Sequence, residues 1–131
     1  MKSLKELLEI VVKDNATDLH IVAGSPPMVR MNGNLFQRSA EPLSAQQAQN
    51  ICLSLMTERQ RKEFEKKNEI DFSFGVAGLA RFRVNVFRQR GTFSAAIRKI
   101  PEDIPTYQSL GGPQILRDLI DKSYGLILVT G

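Results

Sequence analysis

Between residues 70 and 99 apolar side chains recur at every second position, and this period constrains the fold more than any other feature of the chain. Ile70, Phe72 and Phe74 alternate with Asp71 and Ser73, while Phe82, Val84 and Val86 alternate with Arg81, Arg83 and Asn85. Successive side chains of a strand point to opposite faces, so each segment predicts a strand with one face buried and the other in water. Gly75 to Gly78 reads as the turn between them. Arg90-Gly91 reads as a two-residue turn leading to a return strand over Thr92 to Lys99. The expectation is an antiparallel sheet with one apolar and one charged face.

Counting outward from the Arg90-Gly91 turn sets Arg83 against Arg98, on the face opposite Phe82 and Val84. Like charges directly across a sheet are destabilising. Planar guanidinium groups also bind phosphate oxygens in bidentate fashion, so such a pair forms a fork for an anion. Arg81 lies two residues away on the same face and is a weaker third member. The plainer alternative is that Glu69 or Asp71 on the neighbouring strand pairs with these arginines at the surface.

The first half of the chain mixes periods. Leu4, Leu7, Leu8 and Val11 predict an amphipathic helix from Ser3 to about Asn15, and Asp18 to Val22 a short strand. Met28–Met31 and Asn34–Gln37 flank Asn32-Gly33, a hairpin signal because both residues tolerate positive φ. Ser44 with Gln47, and Thr57 with Gln60, are capping-box pairs. The first opens a helix with Ala48, Ile51, Cys52, Leu55 and Met56 as its apolar stripe. The second opens a charged helix to about Lys67, whose basic run reads as a solvated face. Pro101 and Pro105 mark a linker. Beyond it, Pro113 suits a helix start, Ile115, Leu116, Leu119 and Ile120 form a stripe, and Leu126–Val129 reads as a strand buried on both sides of a parallel sheet. Thr130-Gly131 then has the form of a strand running into the first glycine of a phosphate-binding loop, G-x-x-x-x-G-K-[ST].

Composition narrows the function classes. With 42% hydrophobic and 24% charged residues among 131, the chain has the make-up of a soluble globular protein. One Cys and one His cannot build a structural zinc site. Cys52, between Ile51 and Leu53, reads as a buried inert thiol, and His20 as a structural hydrogen-bonding residue. The N-terminus carries an acid early and no unbroken apolar run, unlike a signal peptide, so a cytoplasmic location is expected. The net charge of +4 permits an anionic partner. There is no Trp, no stacking row and no recognition-helix signature, so no nucleic-acid partner is expected.

Several blocks, in order and covering essentially the whole chain, resemble the N-terminal domain of the type IV pilus retraction ATPases, the PilT type of the secretion-ATPase superfamily. They are Ala16-Thr17-Asp18-Leu19-His20-Ile21, Gly24-Ser25-Pro26-Pro27-Met28-Val29-Arg30, Asp71-Phe72-Ser73-Phe74, Ala80-Arg81-Phe82-Arg83-Val84-Asn85, Arg98-Lys99-Ile100-Pro101 and Gly125-Leu126-Ile127-Leu128-Val129-Thr130-Gly131. The resemblance implies an α+β fold: a PAS-like N-terminal domain over residues 1–100, mainly antiparallel sheet flanked by helices. A linker at 101–107 would lead to the first helix and strand of a RecA-like α/β core at 108–131, cut at the P-loop start, Gly131. It implies nucleotide-phosphate binding by Arg83, Arg98 and, more weakly, Arg81. For the parent protein it implies ATP and Mg2+ as cofactors, a homo-hexamer, an inner-membrane pilus platform protein as partner, and a cytoplasmic position peripheral to that membrane. The P-loop lysine and catalytic acids would follow Gly131, so these 131 residues alone should hold no catalytic residue, no metal and no ATPase activity.

Two other readings remain open at this level. One is a related motor: an accessory retraction ATPase, or an assembly or secretion ATPase. The Arg81–Asn85 block and a first helix beginning near Met1 favour the retraction type. The other is a free-standing, non-enzymatic PAS-like sensory or interaction module, which predicts an internal ligand cavity.

Overall fold

The computed structural model describes residues 3–101 and 103–130. In chain order the elements are α1 (Leu4–Lys13), β1 (Asp18–Val22), β2 (Met28–Met31), β3 (Asn34–Gln37), α2 (Ala45–Leu55), α3 (Glu58–Lys67), β4 (Glu69–Val76), β5 (Ala80–Gln89), β6 (Thr92–Ile100) and α4 (Gln114–Ile120). The first three helices begin in the same way. Ser3, Ser44 and Thr57 each accept from the backbone N–H three residues on, and Glu6, Gln47 and Gln60 reach back to the cap backbone. Each box satisfies two amide donors that a helix start would otherwise leave bare.

The six strands form one sheet in the order β3-β2-β1-β6-β5-β4, with antiparallel pairing throughout. Two of its tight turns are those the sequence predicts. Asn32 and Gly33 have φ of 47° and 82°, and Arg90 and Gly91 have 50° and 78°. Positive φ at both central residues matches the right-handed twist of the flanking strands. Gly75 departs from expectation: it lies inside β4, opposite Arg81, and the turn falls later, with Gly78 at φ 70°.

One hydrophobic core lies between the three capped helices and the apolar face of the sheet. Leu7, Leu8 and Val11 of α1, Ile51 and Cys52 of α2, and Phe64 of α3 meet Leu19, Ile97, Val84 and Phe82 there. The charged helix α3 buries a single side chain, Phe64, which packs on Phe93 with ring centroids 5.1 Å apart. Buried residues of this core run from Leu7 to Ile97. Burial pushes the Cys52 thiol up to about 12, so it remains a protonated hydrophobe as expected.

Past the core α4 is the one regular element among the described residues. Helix α4 forms, but buries none of its residues. Leu126–Val129 is neither a strand nor buried: it is irregular and its side chains are exposed. A central strand needs ladder partners on both sides, and among the described residues none pairs with this run. Gly131, the expected P-loop start, lies outside the described residues.

Arg90 occupies the left-handed region, where a Cβ-bearing residue other than Asn or Asp is strained. Arg90→Asn should therefore stabilise the chain by about 0.5–1 kcal/mol, read as a higher urea midpoint at unchanged slope.

Candidate functional site

The face of the sheet turned away from the helices carries the charged side chains. Strand register sets Arg30, Asp18, Arg98, Arg83 and Ser73 side by side across β2, β1, β6, β5 and β4. Arg83 and Arg98 are thus directly opposed, as the turn count predicts. The next row runs Met28, His20, Ala96, Asn85, Asp71. Because Ala96 is small, the sheet is shallow there, and Asp18, Asp71, Arg83, Asn85, Ala96 and Arg98 line a depression of about 260 Å³. A larger groove of about 690 Å³ runs between α3 and edge strand β4, but its walls mix Arg59 and Lys67 with Glu63 and Glu69, so it has no single charge preference.

The opposed arginines are held apart by two acids. Asp71 accepts from Arg83 side-on, with Nε to Oδ1 at 3.0 Å and Nη2 to Oδ2 at 3.2 Å. This is the surface pairing the sequence raises as its plainer alternative, and it raises the Arg83 pKa through the hydrogen bond and charge of Asp71. Glu69 serves Asn85 instead, accepting from Nδ2 at 3.0 Å. Asp18 accepts from Arg98 Nε at 2.8 Å and from the Thr17 hydroxyl at 2.8 Å, and Arg30 Nε lies 3.7 Å from its second oxygen. Arg81 sits on the same face, opposite Ile100 and Gly75, and is exposed.

Asp18 is the residue that sequence reasoning misses. It is one of two buried polar or charged residues among those described. Burial works to raise its pKa, but the hydrogen bonds from Arg98 and Thr17 and the Arg98 charge outweigh it, leaving the carboxyl below its ordinary value. Its partnership depends on β1 lying beside β6, a pairing that leaves no local trace in sequence. His20 also departs from expectation: its Nε2 is buried and has no hydrogen-bond partner among the described residues. Desolvation lowers its pKa, against the opposing pull of Asp18, and the nearby Arg30 and Arg98 charges lower it further.

What the face offers chemically is an array of donors. The acids here, Asp18 and Asp71, are each engaged by a guanidinium, while the Arg83 and Arg98 side chains remain largely exposed. That donor set fits an anion with several oxygens, not a cation.

Comparison with known proteins agrees with this architecture. No protein-family model matches the chain. The type IV pilus retraction ATPase PilT of Pseudomonas aeruginosa is 41% identical over 128 residues, covering 98% of this chain and 37% of that protein. The chain is homologous to the N-terminal region of the PilT/PilU twitching-motility ATPases. The type IV pilus ATPase PilU of the same organism is 35% identical over 127 residues, covering 97% of this chain and 33% of PilU. A crystal structure of the pilus retraction motor PilT with bound ADP superposes with a TM-score of 0.77 at 35% identity, over 93% of this chain and 36% of that one. The chain therefore spans about a third of the length of these PilT/PilU relatives.

Two groups on this face make stability depend on pH, in the same direction. A folded-state pKa below the unfolded one stabilises the fold above the unfolded value, and that stability is lost as pH falls through the folded value. For His20 the decline begins below its ordinary 6.5, and for Asp18 below 3.8. The denaturation midpoint should hence fall in two stages on acidification. His20→Gln should flatten the upper stage and Asp18→Asn the lower, as read from urea titrations across the pH range.

Proposed function

We propose that this chain is the N-terminal part of a hexameric, ATP-driven motor that retracts type IV pili, and that Arg83 and Arg98 act on the nucleotide phosphates. The observation carrying the proposal is the directly opposed arginine pair on the uncovered face of a domain homologous to PilT. A sheet tolerates two like charges in register only when counter-charges surround them. Here the acids neutralise the pair while the Arg98 side chain stays 71% exposed, so the face can accept further negative charge.

In this reading residues 1–100 form a PAS-like domain and 101–107 a linker. Residues 108–131 begin a RecA-like core, whose first strand would be completed by neighbouring strands of that core. The exposed apolar run at Leu126–Val129 is what such a strand would present before its sheet partners are supplied. ATP and Mg2+ would be held by the P-loop and acids of the core. The arginines of the sheet face would add donors where negative charge accumulates during phosphoryl transfer. Arg81, exposed on the same face, is a third contributor. Packing of this domain against a neighbouring subunit would let nucleotide state set its position, and an inner-membrane platform protein of the pilus would receive the movement. The motor would work at the cytoplasmic face of that membrane.

The test is steady-state ATPase activity of the complete protein. Arg83→Ala and Arg98→Ala should each lower kcat by about 10-fold or more, the effect of removing one electrostatic donor from a phosphoryl-transfer site. Their circular dichroism and melting should remain those of a folded domain. Wild-type rates in both variants would remove the phosphate role. A reading frame lacking G-x-x-x-x-G-K-[ST] around Gly131 would remove the motor.

A further inference from the structure

We infer that Asp18 is a positioning residue for Arg98, gripping the guanidinium at Nε so that its outer Nη edge is aimed at a phosphoryl oxygen. The inference rests on the phosphate role proposed for Arg98 and goes further by assigning the residue that aims it.

The two arginines are held differently. Arg83 shares two of its nitrogens with Asp71, and both side chains are largely in water, at 67% and 46% exposure. A pair of that kind exchanges readily with solvent and other ions. Asp18 is only 10% exposed, whereas Arg98 is 71% exposed. Contact is made through Nε alone, at 2.8 Å. Among the described residues the Nη1 and Nη2 groups of Arg98 have no hydrogen-bond partner, and they form the edge that matches two oxygens of a phosphate.

The anchor is itself anchored. Asp18 belongs to a strand laddered on both sides, opposite Arg30 on β2 and Arg98 on β6. The Thr17 hydroxyl donates to Oδ2 at 2.8 Å, and Arg30 Nε approaches the same oxygen at 3.7 Å. With Oδ2 occupied from that side, Oδ1 is the oxygen left to face Arg98. An arginine without such a hold would distribute its long side chain over many rotamers, and each engagement with an anion would have to order it. Held at Nε, the plane is set and only the outer edge is open. Positioning groups act this way on metal-binding histidines and on catalytic bases, through a hydrogen bond at the far nitrogen.

Steady-state kinetics of the complete protein separate aim from support. Asp18→Asn leaves the Arg98 charge in place but loosens its hold, so kcat should fall about 10-fold while KM for ATP stays within about twofold. In an Arg98→Ala background the same substitution should change nothing further, because the group it positions is gone. Asp18→Glu keeps the charge but displaces the grip by one methylene. It should show the same kcat loss at wild-type melting temperature, and it carries the test if Asp18→Asn fails to fold. Wild-type kcat in the Asp18 variants overturns the inference. So does an Asp18→Asn penalty that persists undiminished beside Arg98→Ala, since that marks general support of the fold. Wild-type turnover by Arg98→Ala itself would overturn the phosphate reading, and this inference with it; slow Arg98→Ala with normal Asp18 variants would overturn the positioning role alone.

Discussion

The pairing of β1 with β6 is the constraint on which the rest of the domain depends. It joins the N-terminal helix–strand unit and the β2–β3 hairpin to the long β4–β5–β6 meander, making one sheet of two segments. On the core side it sets Leu19 against Ile97, both fully buried. On the other side it sets Asp18 against Arg98, residues 80 positions apart in sequence. Closing so long a loop costs chain entropy before any contact forms. The apolar ladder beneath must supply that stabilisation, because the ion pair above has its Arg98 partner largely in water.

This pairing also divides what sequence can reveal from what it cannot. The meander is legible because period-two alternation and the Arg90-Gly91 turn together specify register, and register alone opposes Arg83 to Arg98. The helix starts are legible because a capping box is a local device, complete within four residues. The Asp18–Arg98 partnership is not local. Asp18 reads as the first residue of a short, weakly alternating strand, and nothing near it announces a neighbour 80 positions on. The same blindness explains Leu126–Val129. Its composition is that of a central strand, but whether it becomes one depends on partners that composition does not describe. His20 fails for a subtler reason: its strand position was readable, but the partners available to its Nε2 depend on every neighbouring side chain.

The homology and the ion pairs bear on different questions. Identity of 41% to PilT over nearly the whole chain speaks to ancestry and fold. It does not say why two arginines should face each other on an uncovered sheet. That follows from the electrostatics of the row. Reading across the strands, Arg30, Asp18, Arg98 and Arg83 alternate in sign until the last step, where two cations adjoin. Asp71 enters diagonally from the next row and restores balance, and the result is a surface near neutrality with its cationic edges pointing outward.

Such balance matters for any face that must take up and release a highly charged ligand. Bare arginines in a cluster would repel one another and weaken the sheet that displays them. Fully buried ion pairs would avoid that, but would be unavailable to an incoming anion because desolvated pairs break only at high cost. This face combines the two extremes in adjacent rows. In the proposed phosphate role, Asp18, buried in the ladder, would remain bound to Arg98 while the outer edge of that guanidinium engages the anion. Asp71, exposed on an edge strand, can yield Arg83 to a competing anion. On that proposal a single carboxylate chemistry would serve as a fixed mount at one arginine and as an exchangeable counter-ion at the other, the difference between the two being set by burial.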